Sequence, residues 1–157
     1  MIESILIFNQ QGKPRIIKNY DDKINKSELI KESYNLIKDR KDVCNFINQG
    51  QYTLVYRNYA TLYFCLLINQ QESLLASLDL IHVLVESLDK LFESVCELDL
   101  IFNFDKVHLL IDQFVQGGLV IETNVNQIVN SFNEQISKQI KSQQNTFLPS
   151  TSWLNKL

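Results

Sequence analysis

The chain has 157 residues, 45% of them hydrophobic, and 15 Lys plus Arg against 18 Asp plus Glu give a net charge of −3 at neutral pH. That composition suits one domain with a single core, read as residues 1–141, followed by a polar tail at 142–157 that reads as disordered. No dense basic block is present to neutralise phosphates in bulk, so nucleic acid is not an expected partner, and no apolar run approaches the length of a membrane span.

The opening stretch, MIESILIFNQ, has Glu3 where an export signal would be basic and Ile2 where myristoylation needs glycine, so a cytosolic chain without a lipid anchor is expected. Cys44, Cys65 and Cys96 are odd in number and widely spaced, which suits reduced thiols better than disulfides or a zinc site. The triplet Asn25-Lys26-Ser27 fits a glycosylation sequon but lacks the secretory context that would give it meaning.

In chain order, two Ile-rich runs at 2–9 and 15–20 flank Gln10-Gln11-Gly12-Lys13-Pro14 and predict a β-hairpin. Leu29, Ile30, Tyr34 and Ile37 recur at helical spacing and predict a helix over 27–39, with Asn25 and Glu28 placed as N-cap and its reciprocal partner. A short strand is expected at 43–47, then strands at 51–57 and 61–68 around a corner at Asn58 and Tyr59. Residues 62–68 are apolar throughout, as a central strand covered on both faces requires.

Between residues 72 and 92, nine apolar residues from Leu74 to Phe92 keep a 3.6-residue period and predict a long amphipathic helix. Two shorter helices are expected at 97–104 and 105–115, the second ended by Gly117-Gly118 as a C-cap. A last helix over about 124–141 is apolar on one narrow face, and the tail beyond it carries isolated Phe147, Leu148, Trp153 and Leu154 as anchoring points. Strands joined by short connections and interleaved with helices imply an α/β sandwich on an antiparallel sheet.

Chemistry is sparse. Cys96 at a helix start, with His82 and Asp99, would make a nucleophile, base and orienter, but no linear motif joins them and burial of cysteine in a core is the commoner outcome. His108 lacks a ligand partner at metal-binding spacing. Glu97 and Asp99 in the first turn of a helix are explained by its dipole. The four glycines, Gly12, Gly50, Gly117 and Gly118, have no phosphate-loop spacing. No catalytic residue, cofactor or metal is expected, and a binding or assembly role is what remains.

Three blocks then carry a resemblance. Leu54-Val55-Tyr56-Arg57 with Leu62-Tyr63-Phe64, the block Val95-Cys96-Glu97-Leu98-Asp99-Leu100-Ile101-Phe102, and Asn9 with Gly12-Lys13 and Arg15 are similar to the clathrin-adaptor small chains. The similarity spans about residues 1–130. Gly12-Lys13-Pro14-Arg15, Asp105-Lys106-Val107-His108 and the stretch from Gly117 to Asn124 most resemble the sigma chains of adaptor protein complex 3.

The resemblance implies a longin-like fold with a five-stranded antiparallel sheet and helices on both faces. It implies a heterotetramer with delta-type and beta-type large chains and a mu-type medium chain, peripheral on Golgi, endosomal and vesicle membranes, with membrane contact made through the partners. It also implies recognition of acidic-dileucine sorting signals of membrane cargo. Family positions that line the leucine pockets fall on Tyr59, Ala60, Leu62, Val85, Ser94, Val95, Leu98 and Leu100, and Arg15 falls on the position that holds the acidic residue. Ser94 departs from the Asn of one family branch. A coatomer small chain, or a free longin domain regulating a GTPase or a membrane-fusion protein, are the competing assignments; core packing is the competing account of Leu62, Val85 and Leu98.

Overall fold

The computed structural model describes residues 1–40 and 45–146. Cys44, the start of the strand expected at 43–47 and the four tail anchoring points lie outside the described residues.

Five strands, β1 (Ile2–Asn9), β2 (Pro14–Asn19), β3 (Phe46–Gln49), β4 (Tyr52–Tyr59) and β5 (Leu62–Asn69), form one antiparallel sheet in the order β2-β1-β5-β4-β3. The unbroken apolar run therefore does lie at the centre: β5 pairs with β1 from Ile2↔Ile68 to Asn9↔Leu62 and with β4 from Tyr52↔Asn69 to Tyr59↔Leu62. Side chains alternate across a pleat. Leu62, Phe64, Leu66 and Ile68 enter one buried cluster, and Cys65 and Leu67 enter another on the opposite face.

Helix α1 (Lys26–Ile37) covers the second face with Leu29, Ile30 and Ile37. Its start is capped as expected by Asn25, whose side chain accepts from the Ser27 amide. The first face is covered by α2 (Leu74–Phe92), α3 (Glu97–Phe102), α4 (Phe104–Ile111) and α5 (Val125–Thr146). Leu78, Ile81, Leu84, Val85 and Leu88 of α2 fill its centre, each worth roughly 1.5–3 kcal/mol of burial. Helices thus lie on both faces of the sheet.

Two expectations at the C-terminal side need correction. Gly117-Gly118 do not cap a helix: α4 ends at Ile111, and the glycines turn a small hairpin of β6 (Val115–Gln116) and β7 (Leu119–Val120). Their φ angles of +57° and +83° suit the central pair of a type I′ turn, a geometry set by strand pairing rather than helix capping. The last helix continues to Thr146, past its expected end at 141, into part of the tail read as disordered. Gln143 and Gln144 favour helix in that extension, and residues 137–145 are exposed.

The turn between α2 and α3 carries two consecutive left-handed residues that are not glycine. Glu93 and Ser94 both have left-handed backbones, φ +53° and +83°, which side-chain-bearing residues rarely adopt. Asp89 holds them there. Its carbonyl accepts from the amides of Glu93 and Ser94, and its carboxylate accepts from the Val95 amide at 2.8 Å.

Replacing Asp89 with Ala removes that carboxylate and is expected to cost about 0.5–2 kcal/mol, read as a lower denaturation midpoint and faster hydrogen exchange at Val95. At Gly12 the φ of +77° and the Tyr34 ring leave no room, since a Cβ would stand 2.7 Å from Tyr34 Cγ. Gly12→Ala is expected to destabilise by about 1–3 kcal/mol in the same unfolding measurement.

Candidate functional site

One end of the sheet gathers the β1–β2 and β4–β5 turns, because antiparallel register places Asn9, Leu62 and Tyr59 in a single row. The corner residue Ala60 is left-handed at φ +53°, which turns the chain sharply between Tyr59 and Leu62. Over this end lie the last turns of α2 and the start of α3, delivered by the Asp89 turn.

The nine expected site residues are not placed equivalently. Leu62, Val85 and Leu100 share the large buried cluster, with Tyr59 and Val95 packed half-buried against it. Ala60, Ser94 and Leu98 are exposed. Core packing therefore accounts for Leu62 and Val85, which are floor rather than wall, but not for Leu98, whose side chain stands 60% exposed on α3. Ile101, Phe102 and Phe104 extend that exposed apolar surface along α3 and into α4.

Arg15 is set by a β-bulge. Ile7 faces Ile16 and Phe8 faces Pro14, so the register skips Arg15 and re-aims it. Its guanidinium reaches Glu97 at the start of α3, with Nε donating to Oε1 at 2.8 Å and Nη2 2.7 Å from the same oxygen. Asn9 Nδ2 donates to Oε1 as well, at 2.9 Å, while Asn9 Oδ1 accepts from the Gln11 and Lys13 amides and so shapes the hairpin turn. The bonds from Arg15 and then Asn9 hold the Glu97 carboxyl below the usual glutamate range. Stabilisation from this carboxylate is full above the ordinary glutamate pKa and is lost as pH falls through the lowered one.

Two further polar groups mark the same face of β4. The Tyr59 hydroxyl and Arg57 Nε are buried without hydrogen-bond partners, although the Tyr59 ring packs edge-on against Phe64 at 5.7 Å. Buried donors are ordinarily paired.

The nucleophile set does not assemble. Cys96 is exposed, the Asp99 carboxylate accepts from the Cys96 backbone amide, and His82 faces Glu86 at 3.8 Å. His108 is half-buried, and burial followed by the Lys18 charge lowers its pKa. Among the described residues no group of three or more His, Cys, Asp or Glu converges as metal ligands, and no helix is long and apolar enough to cross a membrane. Sequence reading missed Asn9, Asp89 and the engagement of Glu97, because the Glu97 contacts span 82 and 88 residues and leave no local pattern.

Residues 1–139 match the family model described as clathrin adaptor complex small chain. The human AP-3 complex subunit sigma-2 is 47% identical over 145 residues, covering 86% of this chain and 75% of that protein. The AP-3 complex subunit sigma of Dictyostelium discoideum is 43% identical over 159 residues, covering 94% and 92%, and that of Arabidopsis thaliana is 43% identical over 146 residues, covering 88% and 87%. In structure the chain is similar to one described as a homology model of the full-length AP-3 complex in a stretched open conformation, with a TM-score of 0.69, 39% identity and coverage of 93% of this chain and 99% of that one. The chain therefore belongs to the clathrin adaptor complex small chain family and is a small subunit of an adaptor complex in intracellular trafficking.

Proposed function

We propose that this chain works in an AP-3 type heterotetramer, where it stabilises the core and, with a large chain, binds acidic-dileucine signals in the tails of membrane cargo. The observation that supports the reading is the presence of Tyr59, Leu62, Val85, Val95 and Leu100 in one cluster, drawn from β4, β5, α2, the α2–α3 turn and α3, with Leu98 exposed on α3. Such a surface offers an apolar floor to two leucine side chains and a guanidinium, Arg15, to an acid upstream of them.

Energetics make the large chain necessary. Burying two leucines supplies roughly 1.5–3 kcal/mol each, whereas micromolar affinity needs about 8 kcal/mol after the costs of ordering a peptide. Leucine burial alone falls short. Backbone contacts and charges from a partner are the natural sources of the remainder.

Exposed apolar residues also argue for partners. Leu98, Ile101, Phe102 and Phe104 form one group, and Met1, Leu119 and Val120 line a separate cavity of about 500 Å³ beside the N-terminal half of α2. Apolar patches of this kind mark interfaces, and obligate ones commonly bury about 2,000 Å² or more. The proposed occupants are delta-type and beta-type large chains and a mu-type medium chain, with cytoplasmic placement on Golgi, endosomal and vesicle membranes through those partners. No bond-making chemistry is assigned to the chain itself.

Affinity capture from cells is expected to recover delta-type, beta-type and mu-type chains; recovery of coatomer components instead overturns the assignment. In a titration of an acidic-dileucine peptide against the assembled complex, Val95→Asp and Leu98→Ser are each expected to weaken binding about ten-fold or more, since each disturbs a buried leucine contact. Unchanged affinity in both removes the site. Leu100 is unsuited to the test because it is fully buried and its loss would damage the core.

A further inference from the structure

We propose that Glu97 is a built-in competitor for Arg15: its carboxylate already occupies the guanidinium that an acidic signal residue would use, so binding proceeds by exchange of one carboxylate for another. This rests on the dileucine reading above and adds a regulator to the same site.

Three features carry it. The contact uses the Nε and Nη2 edge of Arg15, which meets the single oxygen Oε1 at 2.8 and 2.7 Å, so a ligand carboxylate that brought both its oxygens to that edge would compete for the same donors. Glu97 is not held by Arg15 alone, since Asn9 donates to the same oxygen at 2.9 Å and is itself fixed by two amides of the hairpin turn. The pair is also reachable: the Arg15 and Glu97 side chains are 22% and 28% exposed, so an incoming acid meets both.

The consequence concerns selectivity. With Glu97 in place the Arg15 charge is already compensated, Lys13 being the other cation that acts on this carboxylate, and a ligand acid gains only the difference between two similar ion pairs. Like charge on Glu97 opposes its approach. Neutralising Glu97 leaves the guanidinium charge uncompensated and replaces a charged competitor with a weaker neutral acceptor, while glutamine keeps the oxygen that Asn9 and Arg15 bind.

The test compares wild type and Glu97→Gln in the assembled complex by fluorescence anisotropy. The probe is a synthetic peptide with Glu four positions before Leu-Leu; companions carry Gln in place of that Glu, or Ala-Ala in place of Leu-Leu. Glu97→Gln is expected to bind the acidic peptide about three- to ten-fold tighter at low salt, with the gain shrinking as salt rises. Affinity for the Gln peptide stays within about two-fold, and adding Arg15→Gln to the variant abolishes the gain, as the loss of a specific charge contact requires.

Equal or weaker binding of the acidic peptide by Glu97→Gln overturns the proposal; weaker binding would make Glu97 a positioning residue for Arg15. A gain of the same size for both peptides overturns it too, since that reports loosening of α3 and not freed charge. Leucine-dependent binding unaltered in Glu97→Gln sinks only the competitor. If wild type binds the Leu-Leu and Ala-Ala peptides alike, the dileucine reading falls and the competitor falls with it.

Discussion

The burial of β5 from every side is the constraint on which the rest depends. The strand is hydrogen-bonded along both edges and sends alternate side chains into two separate clusters. Phe64 and Leu66 pack beneath α2, while Cys65 and Leu67 face the α1 side. A slip of one residue would exchange those faces, so the register is fixed by the packing it creates. That register aligns Asn9, Leu62 and Tyr59 at one end of the sheet.

What the end of the sheet presents is a contrast between rigid floor and exposed rim. Leu62, Val85 and Leu100 belong to the interior, and Leu98, Ala60 and Ser94 belong to solvent. The rim is held in place by unfavourable backbone made tolerable: two left-handed residues after α2 are fixed by the Asp89 carbonyl and carboxylate, and a bulge in β2 is fixed by the reach of Arg15 to Glu97. A carboxylate near the C-terminal end of a helix opposes its dipole. Asp89 offsets that cost by accepting the Val95 amide, which fixes the corner before α3.

Much of this was legible in the sequence, for identifiable reasons. The period of α2, the unbroken run in β5 and the Asn25 cap are local patterns, and each appears where its spacing placed it. Gly117-Gly118 were misread because glycine permits both a helix cap and a tight hairpin, and only the pairing of Val115 with Val120 decides between them. Leu98 and Leu100 are two positions apart on a short helix yet stand 60% and 0% exposed, a split that depends on how α3 docks. The ion pair of Arg15 and Glu97 was illegible, since nothing near either residue announces a partner 82 positions away.

The two described thiols sit at opposite extremes of this architecture. Cys96 is exposed on the turn into α3, whereas Cys65 lies in the middle of β5, where burial pushes its thiol far above the usual cysteine range. An alkylating reagent meets the first at once and reaches the second only when the central strand leaves its neighbours. Among the described residues these two thiols thus report on different events, one on access to the α2–α3 corner and the other on global opening.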